Sequence, residues 1–326
     1  MSFKDIVGQD KPVSILQNAL AKNRLAHAYL FYGHSGVGKV LTALNFAKAV
    51  NCLNRPDAGV DCCDECVSCK KIDAGNHMDV SVVKLLKDKS HILIEQIRQL
   101  QSQVNLRPYE AKYKVFIIQD AECANDEAQS ALLKTLEEPP VKSIIILTTS
   151  NPEALLTTII SRCQSAKFYP LNVDSSLDIL VKRFALDKDA AFFLAHIAQS
   201  GLVDISKYAK PNVLENKNKI IADFNSFLNN PGVELSFLKA QPEEIPWILS
   251  VLLWWYRDML IFKETGKPEL LANKDRLKDL SEYSKSLSVL RLGDIISSIM
   301  KTSQILSETN VSAKLALTVM ATDILS

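Results

Sequence analysis

Glycine is scarce in this 326-residue chain: ten residues, about 3% where about 7% is usual. So few turn-formers, beside abundant Leu, Ala, Lys and Glu, imply a helix-rich molecule. Net charge is missing as well. Thirty-eight Lys and Arg against thirty-seven Asp and Glu leave +1, so no overall basic field marks the chain for nucleic acid, although a basic patch can sit inside that balance. No long apolar run is uninterrupted. The longest, from Ile245 to Phe262, carries Arg257 and Asp258, each costly at a bilayer centre, so it reads as a buried helix. Met1-Ser2-Phe3-Lys4-Asp5 brings charge at once and shows no apolar signal region, so a cytoplasmic protein is expected. No internal repeat or low-complexity tract is present.

What is present is ordinary globular material, 47% apolar and 23% charged, enough to bury a full-size core. The length suggests two domains, or three if one is small. Apolar Ala28–Tyr32, Val115–Ile118 and Ser143–Leu147 read as buried strands. Between them, Leu41, Leu44, Phe46, Ala47 and Val50 fall on one helical face, and Ser130–Glu138 is a helix stopped by Pro139-Pro140. Buried strands alternating with helices predict a parallel sheet covered on both faces. After Tyr169-Pro170-Leu171 the pattern is helical throughout, with long amphipathic stretches at 216–228, 246–262, 289–306 and 313–325. The expected division is an α/β domain over 1–168, a small helical domain over 169–209 and a helical C-terminal domain over 210–326.

Gly33-His34-Ser35-Gly36-Val37-Gly38-Lys39, after a strand and before a helix, has the spacing of a phosphate loop. Its glycines let successive N–H groups face phosphate oxygens, the helix N-terminus adds a positive dipole end, and Lys39 belongs at the β/γ-phosphates. The competing reading is a tight turn with Lys39 solvated at the surface. The position after the lysine, where a Ser or Thr hydroxyl ordinarily meets Mg²⁺, is Val40. The second strand ends in Gln119-Asp120 where an Asp-Glu pair would hold the metal and orient water. Both metal positions are degraded, so hydrolysis looks lost and ATP or ADP binding weak or absent.

Seven cysteines in an intracellular chain point to metal or free thiols rather than disulfides. Cys63-x2-Cys66-x2-Cys69, with Cys52 upstream, supplies four thiolates for a closed structural Zn²⁺ site with no place for water. Cys62 is the alternative to Cys63, which fits the repeated spacing better. Reduced thiols without metal are the competing reading. Cys123 and Cys163 are expected to be buried thiols, His27, His77 and His91 structural, and Trp247, Trp254 and Trp255 core or subunit interface.

In this order, the segments resemble bacterial clamp-loader subunits of the AAA+ class over nearly the whole chain. The resemblance is carried by Phe3-x-Asp5-Ile6-Val7-Gly8-Gln9, by His27-Ala28-Tyr29-Leu30-Phe31 before the phosphate loop, and by the inserted cysteine module. It continues in Leu132-Leu133-Lys134-Thr135-Leu136-Glu137-Glu138-Pro139-Pro140, Thr149-Ser150-Asn151-Pro152, Ser161-Arg162-Cys163 and Asn310–Leu317. It implies a lid for 169–209 and a collar for 210–326. Ile6 and Val7 would lie at adenine, and Gly33, Gly36, Gly38 and Lys39 at phosphate. Thr149 would fall in the sensor-1 region. Arg162 would reach a nucleotide on a neighbouring subunit. The implied partners are gamma/tau and delta subunits in a five-membered ring, with the sliding clamp and primed DNA met through that complex. Within the family, Val40 and Gln119 side with the non-hydrolysing kind of subunit rather than the motor kind. Gly201-Leu202-Val203-Asp204, where the motor kind carries an arginine, agrees. An active ATPase working through Asp120 is the rival. A free-standing zinc nucleic-acid module is the weakest reading, given the balanced charge.

Overall fold

The computed structural model describes residues 1–55, 59–86, 89, 91–200, 203–230, 236–308 and 311–325. Gly201, Leu202 and Asn310, named above, lie outside the described residues. The chain divides into two compact units, Met1–Pro170 and Leu171–Ser326.

The first unit is built on a five-stranded parallel sheet: β1 (Ala28–Tyr32), β2 (Val80–Val83), β3 (Lys114–Ile118), β4 (Ser143–Thr149) and β5 (Gln164–Lys167), in the spatial order β2-β3-β4-β1-β5. Its helices are α1 (Asp10–Ala21), α2 (Lys39–Asn51), α3 (Val67–Asp73), α4 (Ile94–Val104), α5 (Asp126–Glu137) and the short α6 (Thr157–Ile160). Strand alternation sorts the core into two layers. Tyr29 and Phe31 of β1 join Val115, Ile117, Ile144 and Ile146 under α1 and α2. Ala28 and Leu30 join Phe116, Ile118, Ile145 and Leu147 under α4 and α5. Both faces are therefore covered, as uninterrupted apolar strands require. The register Tyr32↔Thr149 and Tyr32↔Lys167 brings the C-terminal ends of β1, β4 and β5 level, which gathers the loops leaving them.

Two boundaries differ from the sequence reading, which also lacks the strands β2 and β5. β4 runs on to Thr149, because Thr148 and Thr149 are buried despite their hydroxyls. α5 starts four residues before Ser130, where the Asn125 side chain caps it by accepting the Ala128 N–H at 2.9 Å. The edge strands β2 and β5 are short, and in β5 only Ala166 is buried.

The second unit is helical: α7 (Val173–Phe184), α8 (Lys188–Ala198), α9 (Val213–Asn229), α10 (Ile245–Thr265), α11 (Leu277–Ser286), α12 (Val289–Glu308) and α13 (Ala313–Leu325). One apolar core runs from Leu180 on α7 to Ile324 on α13. Among the described residues, Pro242–Thr265 is the one helical stretch long and apolar enough to cross a bilayer, and it is largely buried. Trp247, Trp254 and Trp255 are all core residues within it. Asp258 is tolerated there because the N–H groups of Ala272 and Asn273 and the Asn273 amide donate to it at 2.8 Å, with Arg257 on its other oxygen.

Candidate functional site

The loop between β1 and α2 is shaped by positions that only glycine fills easily. Gly33 has φ +146°, and a Cβ there would stand 2.3 Å from the Phe168 carbonyl oxygen. Its N–H donates to the Thr149 carbonyl at 3.2 Å, so β4 and the exit of β5 both press on the loop's first residue. Gly36 and Gly38 also take positive φ, and α2 begins immediately after. Lys39 is 6% exposed, and its ammonium donates to the carbonyls of Gly33 at 2.6 Å and His34 at 2.7 Å. That overturns the solvated-surface reading of this lysine: it is folded into the loop. A helix N-terminus with a cation inside the loop is an arrangement suited to an anion.

Gln9 is a residue whose role the sequence did not disclose. Buried, it donates to the carbonyls of Val37 at 3.3 Å and Tyr169 at 2.7 Å and accepts the Tyr169 N–H at 3.1 Å. It thereby ties the loop to the chain leaving β5. Ile6 packs against the same core, Val7 is exposed, and Thr149 is fully buried with its hydroxyl accepting the Asn151 N–H at 3.1 Å.

At the end of β3, the Gln119 amide donates to Asp120 Oδ2 at 3.1 Å. Asp120 itself sits at φ +51°, its N–H bonded to Thr148 Oγ1 at 3.2 Å. The Val40 and Gln119 side chains offer neither a hydroxyl nor a carboxylate to a divalent ion. Arg162 follows α6 at about one-third exposure. Its guanidinium donates to the Thr158 carbonyl at 2.9 Å and pairs with Glu137 of α5 at 2.8 Å.

Cys52, Cys63, Cys66 and Cys69 come together at one point. Their sulfur atoms all lie within 4.8 Å of one another, a cluster that could hold a metal ion. Four sulfurs at about 2.3 Å from one tetrahedral ion stand about 3.8 Å apart, so the spacing fits. N–H groups are aimed at the sulfurs: Cys63 at Cys52 (3.4 Å), Cys66 at Cys63 (3.3 Å) and Cys69 at Cys66 (3.5 Å). Burial opposes ionisation of Cys66, but the N–H groups of Cys69 and Leu53 and the neighbouring thiols outweigh it and bring it down to about 6. Cys62 lies outside the cluster. Burial, then its bond to Asp64 at 3.3 Å, pushes that thiol up to about 12. Cys123 and Cys163 are half-buried rather than fully buried, and burial raises both, to about 11 and about 12. His77 is enclosed between Ser68 Oγ at 3.3 Å and the Asp79 N–H at 3.1 Å.

A five-stranded parallel sheet with a glycine-lysine loop at the C-terminal end of β1, in a chain whose second unit is all helical, is the arrangement of a P-loop fold. Family comparison agrees: residues 8–172 match the family described as "DNA polymerase III, delta subunit", and residues 211–325 match its C-terminal family. The chain belongs to this DNA polymerase III clamp-loader subunit family. It is similar to the delta' subunit of Bacillus subtilis DNA polymerase III, 31% identical over 85% of this chain and 84% of that protein. It is also similar to the tau subunit of the same organism, 30% identical over 94% of this chain, and it spans 59% of tau's length. A solved gamma-subunit-related protein of Thermotoga maritima covers 96% of this chain and 98% of its own at 16% identity, with a TM-score of 0.44.

Proposed function

We propose that this chain is the non-hydrolysing delta-prime subunit of a bacterial DNA polymerase III clamp loader, working in the cytoplasm. In this reading it stands in a five-membered ring with gamma/tau and delta subunits. It gives Arg162 to the ATP site of the adjacent motor subunit while the ring places the sliding clamp on primed DNA. Residues 169–209 would act as the lid and 210–326 as the collar segment.

One observation carries the reading: Val40 and Gln119 stand where metal-binding groups belong, while Arg162, just after α6, keeps its guanidinium about one-third exposed. Such a half-exposed ion pair stabilises little, so Glu137 can hold Arg162 ready and yield it to a phosphate. A planar, permanently charged guanidinium suits the charge that develops as the γ-phosphate departs, an effect worth about 10³-fold or more in rate.

The loop 33–39 would bind ATP or ADP weakly through its glycines and lysine, and Ile6, Val7 and Thr149 would complete that site. Cys52, Cys63, Cys66 and Cys69 would hold one structural Zn²⁺, which closes the module and supplies no catalytic position. The metal should survive Cys62→Ser and be lost in Cys66→Ser, read by elemental analysis.

The deciding experiment is ATP turnover by the chain alone and by a reconstituted loader in which only this subunit is altered. The chain alone should show no Mg²⁺-dependent hydrolysis. Arg162→Ala should leave assembly intact and sharply lower clamp- and DNA-stimulated turnover, and Arg162→Lys should rescue little. Likeness to tau supports the second reading, an active motor subunit. Turnover by the isolated chain that disappears in Lys39→Ala would establish that reading instead.

A further inference from the structure

The cysteine module and the first residues of the chain are built together. Phe3 is 3% exposed and shares an apolar cluster with Cys52, Cys62, Cys66 and Cys69. Its N–H donates to Asp61 Oδ1 at 3.1 Å, and the same oxygen accepts the Cys62 N–H at 2.8 Å. From the other side α2 reaches the same segment. The Asn45 amide donates to the Ser2 carbonyl at 3.3 Å, and the Lys48 ammonium donates to the Met1 carbonyl. Lys48, fully buried, also binds Asp64 at 2.6 Å and Asp73 at 2.9 Å, so one cation joins the first residue, the cysteine loop and α3. Residues 1–3 thus lie between the helix that opens at the phosphate loop and the loop that carries the cysteines.

The segment has little regular structure of its own. Its one regular feature is a single 3-10 turn, Phe3–Asp5, too short to persist alone. Its outer support, Asp61 and Asp64, sits in the stretch between Cys52 and Cys66, in which the described residues form no helix or strand. That stretch is fixed by the sulfur cluster at its ends. A few residues further on, Gln9 grips the phosphate loop through the Val37 carbonyl.

We infer that the four-cysteine module is a latch for the chain's opening segment. With its metal bound, it presents Asp61 and Asp64 in the positions that clamp residues 1–9 against α2 and the phosphate loop; without metal, that segment comes away. The inference rests on the metal reading proposed above, and it gives the module a task at the nucleotide loop that its closed coordination alone does not.

Hydrogen exchange on the full chain tests it. Removing the metal with a chelator should speed exchange of the amides of residues 3–9 by about tenfold or more, along with residues 61–69, and leave β3 and β4 protected. If residues 3–9 keep their protection while 61–69 loosen, or if β3 and β4 loosen equally, the latch is wrong. A second arm needs no metal removal. Asp61→Ala should free the Phe3 amide at unchanged metal content. Asp61→Asn should keep it protected, because Oδ1 still accepts and Oδ2 is buried without a partner among the described residues. Equal protection in both variants overturns the proposal. Where Asp61→Ala does not fold, Asn45→Ala carries the test, and exchange at residues 3–6 must rise. A chain that binds no metal would refute the metal reading, and the Asp61 and Asn45 variants would still judge the latch.

Discussion

Asp79 accepts hydrogen bonds from three successive backbone N–H groups, those of Tyr109, Glu110 and Ala111, at 2.8 to 3.0 Å. Burial alone would raise its pKa. The three donors and the Lys114 ammonium outweigh burial and hold the carboxyl below the ordinary range. A depressed folded pKa gives stability that is complete above the unfolded value near 4 and is lost as pH falls through the folded value. Asp79→Ala should therefore cost about 3 kcal/mol at pH 7, and the gap to wild type should shrink as the pH drops below about 4, read from urea midpoints across pH. The residue scale is also where the sequence was least legible. Lys39, the cysteines and Arg162 stood in recognisable spacings. Gln9, Asp61 and Asp79 act through backbone groups far along the chain, Gln9 on Tyr169 and Asp79 on Tyr109, and no local pattern encodes such a partner.

At the scale of elements, α10 supports the helical unit. Trp255 is fully buried, with its ring beneath the Arg276 guanidinium at 5.4 Å and its Nε1 lacking a hydrogen-bond partner among the described residues. Trp255→Ala should cost about 3–5 kcal/mol through the cavity it leaves. Trp255→Phe should cost far less than Trp255→Ala, because it also removes a buried donor that nothing satisfies. Denaturant unfolding of the two variants side by side checks the order. Helices are readable because their apolar period is long: the stretch 313–325 coincides with α13, and 289–306 ends two residues short of α12. β1, β3 and β4 were readable because they are buried on both faces. β2 and β5 are sheet edges, each paired on one side only: β2, Val80-Ser81-Val82-Val83, is four residues long with Ser81 breaking its apolar run, and β5 exposes Gln164, Ser165 and Lys167. In β5, position in the sheet, not composition, makes the strand.

For the molecule as a whole, the two compact units have separate cores. Produced separately, 1–170 and 171–326 should each fold and unfold cooperatively, measured by near-UV circular dichroism through a denaturant titration. Failure of one half to fold alone would show that its core depends on the other.

The placement of β1 bears on how the chain is born. β1 is complete at Tyr32, yet both its neighbours, β4 and β5, come later, and the second ends only at Lys167. At about 5–20 residues per second of synthesis, Tyr29, Leu30 and Phe31 wait on the order of 10 s for their last partner. Throughout that interval the nascent chain presents an apolar strand with both edges open, the kind of segment that seeks pairing elsewhere. A ribosome-bound chain arrested shortly after β3 should therefore engage a holding chaperone, and one arrested well beyond β5 should release it.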